Sequence, residues 1–126
     1  MPFRPTHPAL SAALEERNYS DPTPVQDAVL EPGIGERDLL VSAQTGSGKT
    51  VAYGLALATT LLGDLDNLPE AGEPLALVVA PTRELALQVQ VELNWLYAKA
   101  GGRIITCVGG MDPRSEQRAL ARGAHI

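Results

Sequence analysis

Apolar residues recur along the chain in two rhythms, one spaced as on helices and one clustered in short runs. Pro8 opens a stretch that places Leu10, Leu14 and several alanines on one side and Glu15, Glu16 and Arg17 on the other. That is a helix begun by proline, with Asn18 as its stop. Asp21-Pro22-Thr23-Pro24 is a rigid turn in which Thr23 reads as an N-cap and Pro24 as the first residue of a short helix to Leu30, ended by Pro32-Gly33. From Lys49 to Leu62 the chain is apolar almost all round, as in a helix covered by other elements. Leu85, Val89, Leu93 and Leu96 mark a long helix after Pro81-Thr82, stopped by Gly101-Gly102. Asp112-Pro113 caps a last helix to about Arg122.

The runs Leu39 to Val41, Leu75 to Ala80 and Arg103 to Val108 have the composition of strands buried on both faces. Ala124-His125-Ile126 reads as the first residues of a fourth. Strands alternating with helices at this spacing predict an α/β fold of βαβ units around a parallel sheet. Residues 63–74 carry Gly63, Pro69, Gly72 and Pro74 and read as an exposed loop. There is no internal repeat and no low-complexity tract.

Composition narrows the class. In 126 residues, hydrophobic positions make up 44% and charged ones 20%, which is ordinary globular usage. No apolar run approaches the ~18 residues of a membrane helix, and MPFRPTHP lacks the features of a signal peptide. A soluble, cytoplasmic protein is expected. With Cys107 as the one cysteine, a disulfide framework and a cysteine zinc cluster are excluded. The net charge of −5 argues against binding nucleic acid by bulk electrostatics. Charge is unevenly placed, however. Asp64, Asp66, Glu70 and Glu73 form an acidic cluster, whereas Lys99, Arg103, Arg114, Arg118 and Arg122 dominate the end of the chain. Both read as solvated surface, with a phosphate-facing basic patch as the alternative. Trp95, Tyr97 and Tyr53 read as packing residues and Cys107 as a small buried hydrophobe, and His7 and His125 have no ligand spacing.

Chemistry enters at Ala43-Gln44-Thr45-Gly46-Ser47-Gly48-Lys49-Thr50, between an expected strand and an expected helix. This fits the Walker A pattern. Gly46 and Gly48 let the backbone curl so that successive N–H groups converge on an anion, and the helix N-terminus adds partial positive charge. Lys49 supplies a full charge to the β and γ phosphates of ATP, and the Thr50 hydroxyl is placed to ligate Mg²⁺. Lys49 and Thr50 are therefore the candidate catalytic residues, in the sense of phosphate and magnesium contacts.

Three further segments point to a family. Asn18 to Gln26 (NYSDPTPVQ) resembles the Q motif of DEAD-box RNA helicases, AQTGSGKT matches that family's motif I, and Pro81 to Ala86 (PTRELA) matches its motif Ia. Gly109-Gly110 falls where the family has its double glycine. The resemblance implies the first of two RecA-like domains of a P-loop NTPase, incomplete in this chain, with residues 1–36 as a Q-motif region and 37–126 as part of the ATP-binding domain. Thr23 and Gln26 would recognise adenine, since a side-chain amide complements its donor and acceptor pair, and Phe3 would stack on the base. Asn18 stands where glycine is common, which is tolerable because Asn accepts left-handed angles. Pro81, Thr82, Arg83, Glu84, Gly109 and Gly110 would contact the backbone of single-stranded or duplex RNA without reading its bases.

The family's Asp-Glu-Ala-Asp motif, which holds magnesium and positions the attacking water, does not occur in the chain. Its Ser-Ala-Thr motif and second domain are absent too. The expectation is an N-terminal fragment of an ATP-dependent RNA helicase that binds ATP and RNA but does not itself turn over ATP. The alternatives are a stand-alone ATP-binding module and a related translocase acting on DNA. Family topology puts the Leu39 to Val41 strand beside strands encoded later. The polypeptide alone is thus expected to fold poorly or to aggregate.

Overall fold

A computed structural model describes residues 2–44, 46, 48–110 and 112–126. The helices begin where short-range chemistry dictates. Helix α1 (Pro8–Glu16) is capped by His7, whose Nδ1 accepts the Ala9 N–H at 3.1 Å. Arg17 caps its end, and Asn18 just beyond takes a left-handed φ of 59°. Helix α2 (Pro24–Val29) carries a reciprocal capping box between Thr23 and Gln26. Helix α3 (Lys49–Leu61) starts from Gly48, at φ 82°. Helix α4 (Arg83–Tyr97) is capped by the Thr82 hydroxyl and runs on into a 3₁₀ turn, Ala98–Ala100. Helix α5 (Pro113–Ala121) is capped by Asp112 and buries none of its residues.

The core joins Leu10 and Leu14 of α1, Val51, Leu55, Ala58 and Leu61 of α3, and Leu93, Leu96 and Tyr97 of α4. Helix α3 is its centre, packed between α2 and α4. Gly54 sets that approach: a Cβ there would collide with the Leu96 and Leu93 side chains. The Tyr97 hydroxyl donates to the Gly54 carbonyl at 2.6 Å, and burial pushes this phenol well above the ordinary tyrosine range. Tyr97 is thus a packing residue, as its spacing predicts. Trp95 lies partly buried beneath the Arg17 guanidinium, 5.0 Å from its ring, with Tyr19 at 5.4 Å. Among the described residues no helix is long and apolar enough to cross a membrane.

The expected sheet is where the structure departs from the sequence pattern. Residues 39–41, 75–80 and 103–108 form no strands, and among the described residues the β structure is one isolated antiparallel bridge, Gly72 to Ala124. Residues 124–126 are buried between two of these segments. The Ala124 N–H donates to Gly72 at 3.0 Å and the Leu75 N–H to His125 at 2.8 Å. On the other side the His125 N–H donates to Arg103 at 2.8 Å and the Ile105 N–H to Ile126 at 3.1 Å.

These bonds do not extend along the runs. Leu40 is fully exposed at 101%, and Leu77 and Val79 are 85% and 84% exposed. Cys107, expected to be buried, is also exposed. A run suited to burial on both faces becomes a strand only when neighbours supply ladder partners and cover. A cleft of about 550 Å³ instead lies between residues 74–83, the inner face of α4 and residues 104–109.

Both histidines are structural. His7 Nε2 lies 2.7 Å from the Leu65 carbonyl. His125 Nδ1 accepts the Arg103 N–H at 2.9 Å while its Nε2 lies 2.6 Å from the Pro69 carbonyl, so a neutral ring protonated at Nε2 satisfies both. His125 thereby ties the 63–74 loop to the C-terminal segment.

Candidate functional site

The first candidate site grows from the cap of α2. Pro24 sets the first helical turn, which brings Gln26 back to its own cap: the Thr23 N–H donates to Gln26 Oε1 at 3.0 Å and the Gln26 N–H to Thr23 Oγ1 at 3.4 Å. The other end of the same amide reaches across to the Walker A sequence, where Gln26 Nε2 donates to the Gly48 carbonyl at 3.2 Å. Gln26 is 1% exposed. Gly48 is required at this contact, because a Cβ would strike Gln26 Nε2 and the positive φ is costly for any other residue. Each end of the amide keeps one further hydrogen-bonding position. Replacing Gln26 with alanine should strand the Thr23 N–H and take one of two donors from the Gly48 carbonyl, which keeps the Ala52 N–H, at a cost of about 1–3 kcal/mol of stability. Denaturant unfolding should read this as a lower midpoint with an unchanged slope.

Gly46 adopts φ 81° with open space on its Cβ side, and Lys49 and Thr50 begin α3. The Lys49 ammonium is exposed and donates to the Ala43 carbonyl at 2.8 Å, drawing the start of the loop over the helix N-terminus. Gln44 is exposed, and Thr45 and Ser47 lie outside the described residues. Burial raises the pKa of the neighbouring Tyr53 phenol, and interaction with the Thr50 side chain opposes the rise. Phe3 is partly buried and packs against the hydrophobic core. It is held near α2 by Arg4, whose Nε and Nη2 donate to the two Asp27 carboxylate oxygens at 2.9 and 3.4 Å. The sequence pattern does not reveal this pair, since nothing local links residues 23 positions apart.

The second candidate site lies at the start of α4. Pro81, Thr82, Arg83 and Glu84 are all exposed, and the Thr82 hydroxyl accepts the Leu85 N–H at 3.2 Å as the helix cap. The structure brings this segment against the double glycine: the Arg83 guanidinium donates to the Gly109 carbonyl. Gly110, at φ 80°, leaves the space that Arg83 occupies, and a Cβ there would collide with the guanidinium. The glycines at this turn therefore admit an arginine head group. Of the basic residues further on, Lys99 is paired with Glu16 at 2.8 Å, and Arg114, Arg118 and Arg122 are exposed.

A family profile described as DEAD/DEAH box helicase matches residues 23–126. The chain belongs to the DEAD/DEAH box helicase family. Its relatives include the ATP-dependent rRNA helicase RRP3 of Meyerozyma guilliermondii, 40% identical over 120 residues, a match covering 94% of this chain and 24% of that protein. The DEAD-box ATP-dependent RNA helicase CshA of Bacillus licheniformis is 35% identical over 117 residues, covering 93% and 23%. The chain thus spans about a quarter of the length of these curated relatives.

Among solved structures, the RNA helicase Prp28 from Chaetomium thermophilum bound to ADP aligns with TM-score 0.79 and 32% identity over 99% of this chain and 31% of that one. A DEAD box protein from Methanococcus jannaschii aligns with TM-score 0.80 and 26% identity, over 98% and 32%. The backbone of this DEAD/DEAH box chain follows the RecA-like domains of such helicases, although the parallel sheet itself does not form among its described residues.

Proposed function

We propose that this chain is the ATP- and RNA-binding first part of a cytoplasmic DEAD-box RNA helicase that couples ATP hydrolysis to local separation of RNA duplexes. In this reading residues 1–36 form the adenine-recognising region and 37–126 part of the first RecA-like domain. The observation that carries it is the hydrogen bond from Gln26 to Gly48, which joins the Q-motif helix to the phosphate loop. Gln26 and Thr23 select adenine, and Phe3 covers the base. Residues 43–50 wrap the phosphates, with Lys49 neutralising the β and γ groups.

The donor set suits magnesium only in part. Thr50 offers one hydroxyl, and the described residues contain no group of three His, Cys, Asp or Glu placed to hold a metal. Bound magnesium would neutralise phosphate charge, with Thr50 as its protein ligand and phosphate and water completing the sphere. Without an Asp-Glu-Ala-Asp sequence, the chain alone is expected to release no phosphate above a blank without protein. Turnover belongs to a longer protein that includes a second RecA-like domain.

Pro81 to Glu84 and Gly109-Gly110 hold the sugar–phosphate backbone, so binding is independent of base sequence. The test is displacement of a labelled RNA decamer in the presence of a non-hydrolysable ATP analogue. Unlabelled RNA of any sequence should compete at least about tenfold better than DNA of the same sequence, because only RNA offers 2′-hydroxyl contacts. Equal competition by DNA would favour a DNA-directed translocase.

A further inference from the structure

The Gly109-Gly110 turn is held from two sides by side chains that lie far from it in sequence or on the next helix. On one side Arg83 donates to the Gly109 carbonyl. On the other, Glu116 in the first turns of α5 accepts the Val108 N–H on Oε1 at 3.0 Å. Glu116 is partly buried, and its helix is anchored in turn by Asp112, which accepts the Arg114 N–H at 3.0 Å. Helix α5 buries none of its residues, so apolar packing does little to fix its first turn. The carboxylate links it to the residue immediately before the glycines.

We propose that Glu116 is a positioning residue for the RNA-contacting turn: its carboxylate holds the Val108 N–H and so sets where Gly109 and Gly110 present their backbone. This rests on reading that turn as an RNA-backbone contact. The requirement is chemical. Residues 106–108 lack a full sheet ladder, so the Val108 N–H needs a side-chain acceptor, and a pair of glycines gives the turn little stiffness of its own. With Arg83 fixing the carbonyl after Val108 and Glu116 the N–H before it, the turn is clamped across one residue.

The sign of the effect separates positioning from plain electrostatics. A surface acid beside RNA repels phosphate, so removing its charge would strengthen binding. A positioning acid does the opposite when truncated. Glu116→Ala should weaken binding of a labelled uridine decamer about fivefold, the factor for one hydrogen bond. Glu116→Gln keeps an acceptor oxygen and should bind within about twofold of the parent.

Affinity for a fluorescent ATP analogue should stay unchanged in both variants. Hydrogen exchange at Val108 should quicken in Glu116→Ala and not in Glu116→Gln. Equal or tighter RNA binding by Glu116→Ala overturns the proposal. So does a parallel loss of ATP and RNA binding, which would mark a folding residue, and so does a glutamine variant as weak as the alanine one, which would mark a role of the charge at the helix N-terminus. A parent protein that binds no RNA instead removes the reading of the turn on which the inference stands.

Discussion

Lys49→Ala should lower affinity for a fluorescent ATP analogue by about 100-fold while leaving the helical content unchanged. The ammonium is exposed and bonded to a single carbonyl, that of Ala43, so its removal leaves no buried group unpaired and opens no cavity. What it does remove is the one full positive charge at the start of α3. Contacts from an ammonium to phosphate oxygens are charge-assisted and contribute about 1.5–3 kcal/mol each. Losing one or two amounts to about 3 kcal/mol, or about 100-fold. Lys49→Arg is the informative companion. It keeps the charge, but the planar fork needs room where the loop curls tightly, so it should recover only part of the affinity. Unchanged binding by the alanine variant, in an equilibrium titration, would remove residues 43–50 as the phosphate site.

The second large effect concerns association. Leu40, Leu77 and Val79 stand almost entirely in water, and the segments that carry them have unfilled backbone pairing positions. Exposed aliphatic runs with unpaired N–H and C=O groups are templates for contact with another chain. The 126-residue polypeptide should therefore sediment as a concentration-dependent mixture and melt without a sharp transition. Each large aliphatic side chain withdrawn from water contributes about 1.5–3 kcal/mol. A chain carrying both Leu77→Lys and Val79→Lys should self-associate at least about 100-fold more weakly, by sedimentation velocity. Thr60→Lys, an exposed polar position on α3, should change nothing. A monomeric parent chain with a sharp, reversible thermal transition would refute this account of residues 75–80.

Much of the helical framework is legible in the linear sequence because its determinants are local. Proline at the first turn and a capping side chain just before it mark the starts of α2 and α5, and the ends of α3 and α5 fall within a residue of the expected Leu62 and Arg122. Asn18 takes the left-handed angle its type allows. The Walker A pattern is equally legible, since Gly46, Gly48, Lys49 and Thr50 are linked by spacing alone. The joins are not legible. Gln26 meets Gly48 across 22 positions, Arg83 meets Gly109 across 26, and Tyr97 meets Gly54 across 43.

The strand runs mark the boundary between the two kinds of information. Leu39 to Val41 and Leu75 to Ala80 are composed as strands buried on both faces, yet composition records only what environment a segment suits. Ladder partners come from elsewhere in space, and most of these residues lack them. By itself the sequence determined the helices, the caps of α2 and α5, the Walker A pattern and the motifs that point to the family, because each of these depends on residues a few positions apart. Only the tertiary structure decided that Gln26 closes onto the loop, that Arg83 and Glu116 hold the turn at the double glycine, and that Leu40, Leu77 and Val79 lie uncovered while Ile104 is buried. Those outcomes depend on which distant backbone groups find partners, and a linear pattern does not encode that.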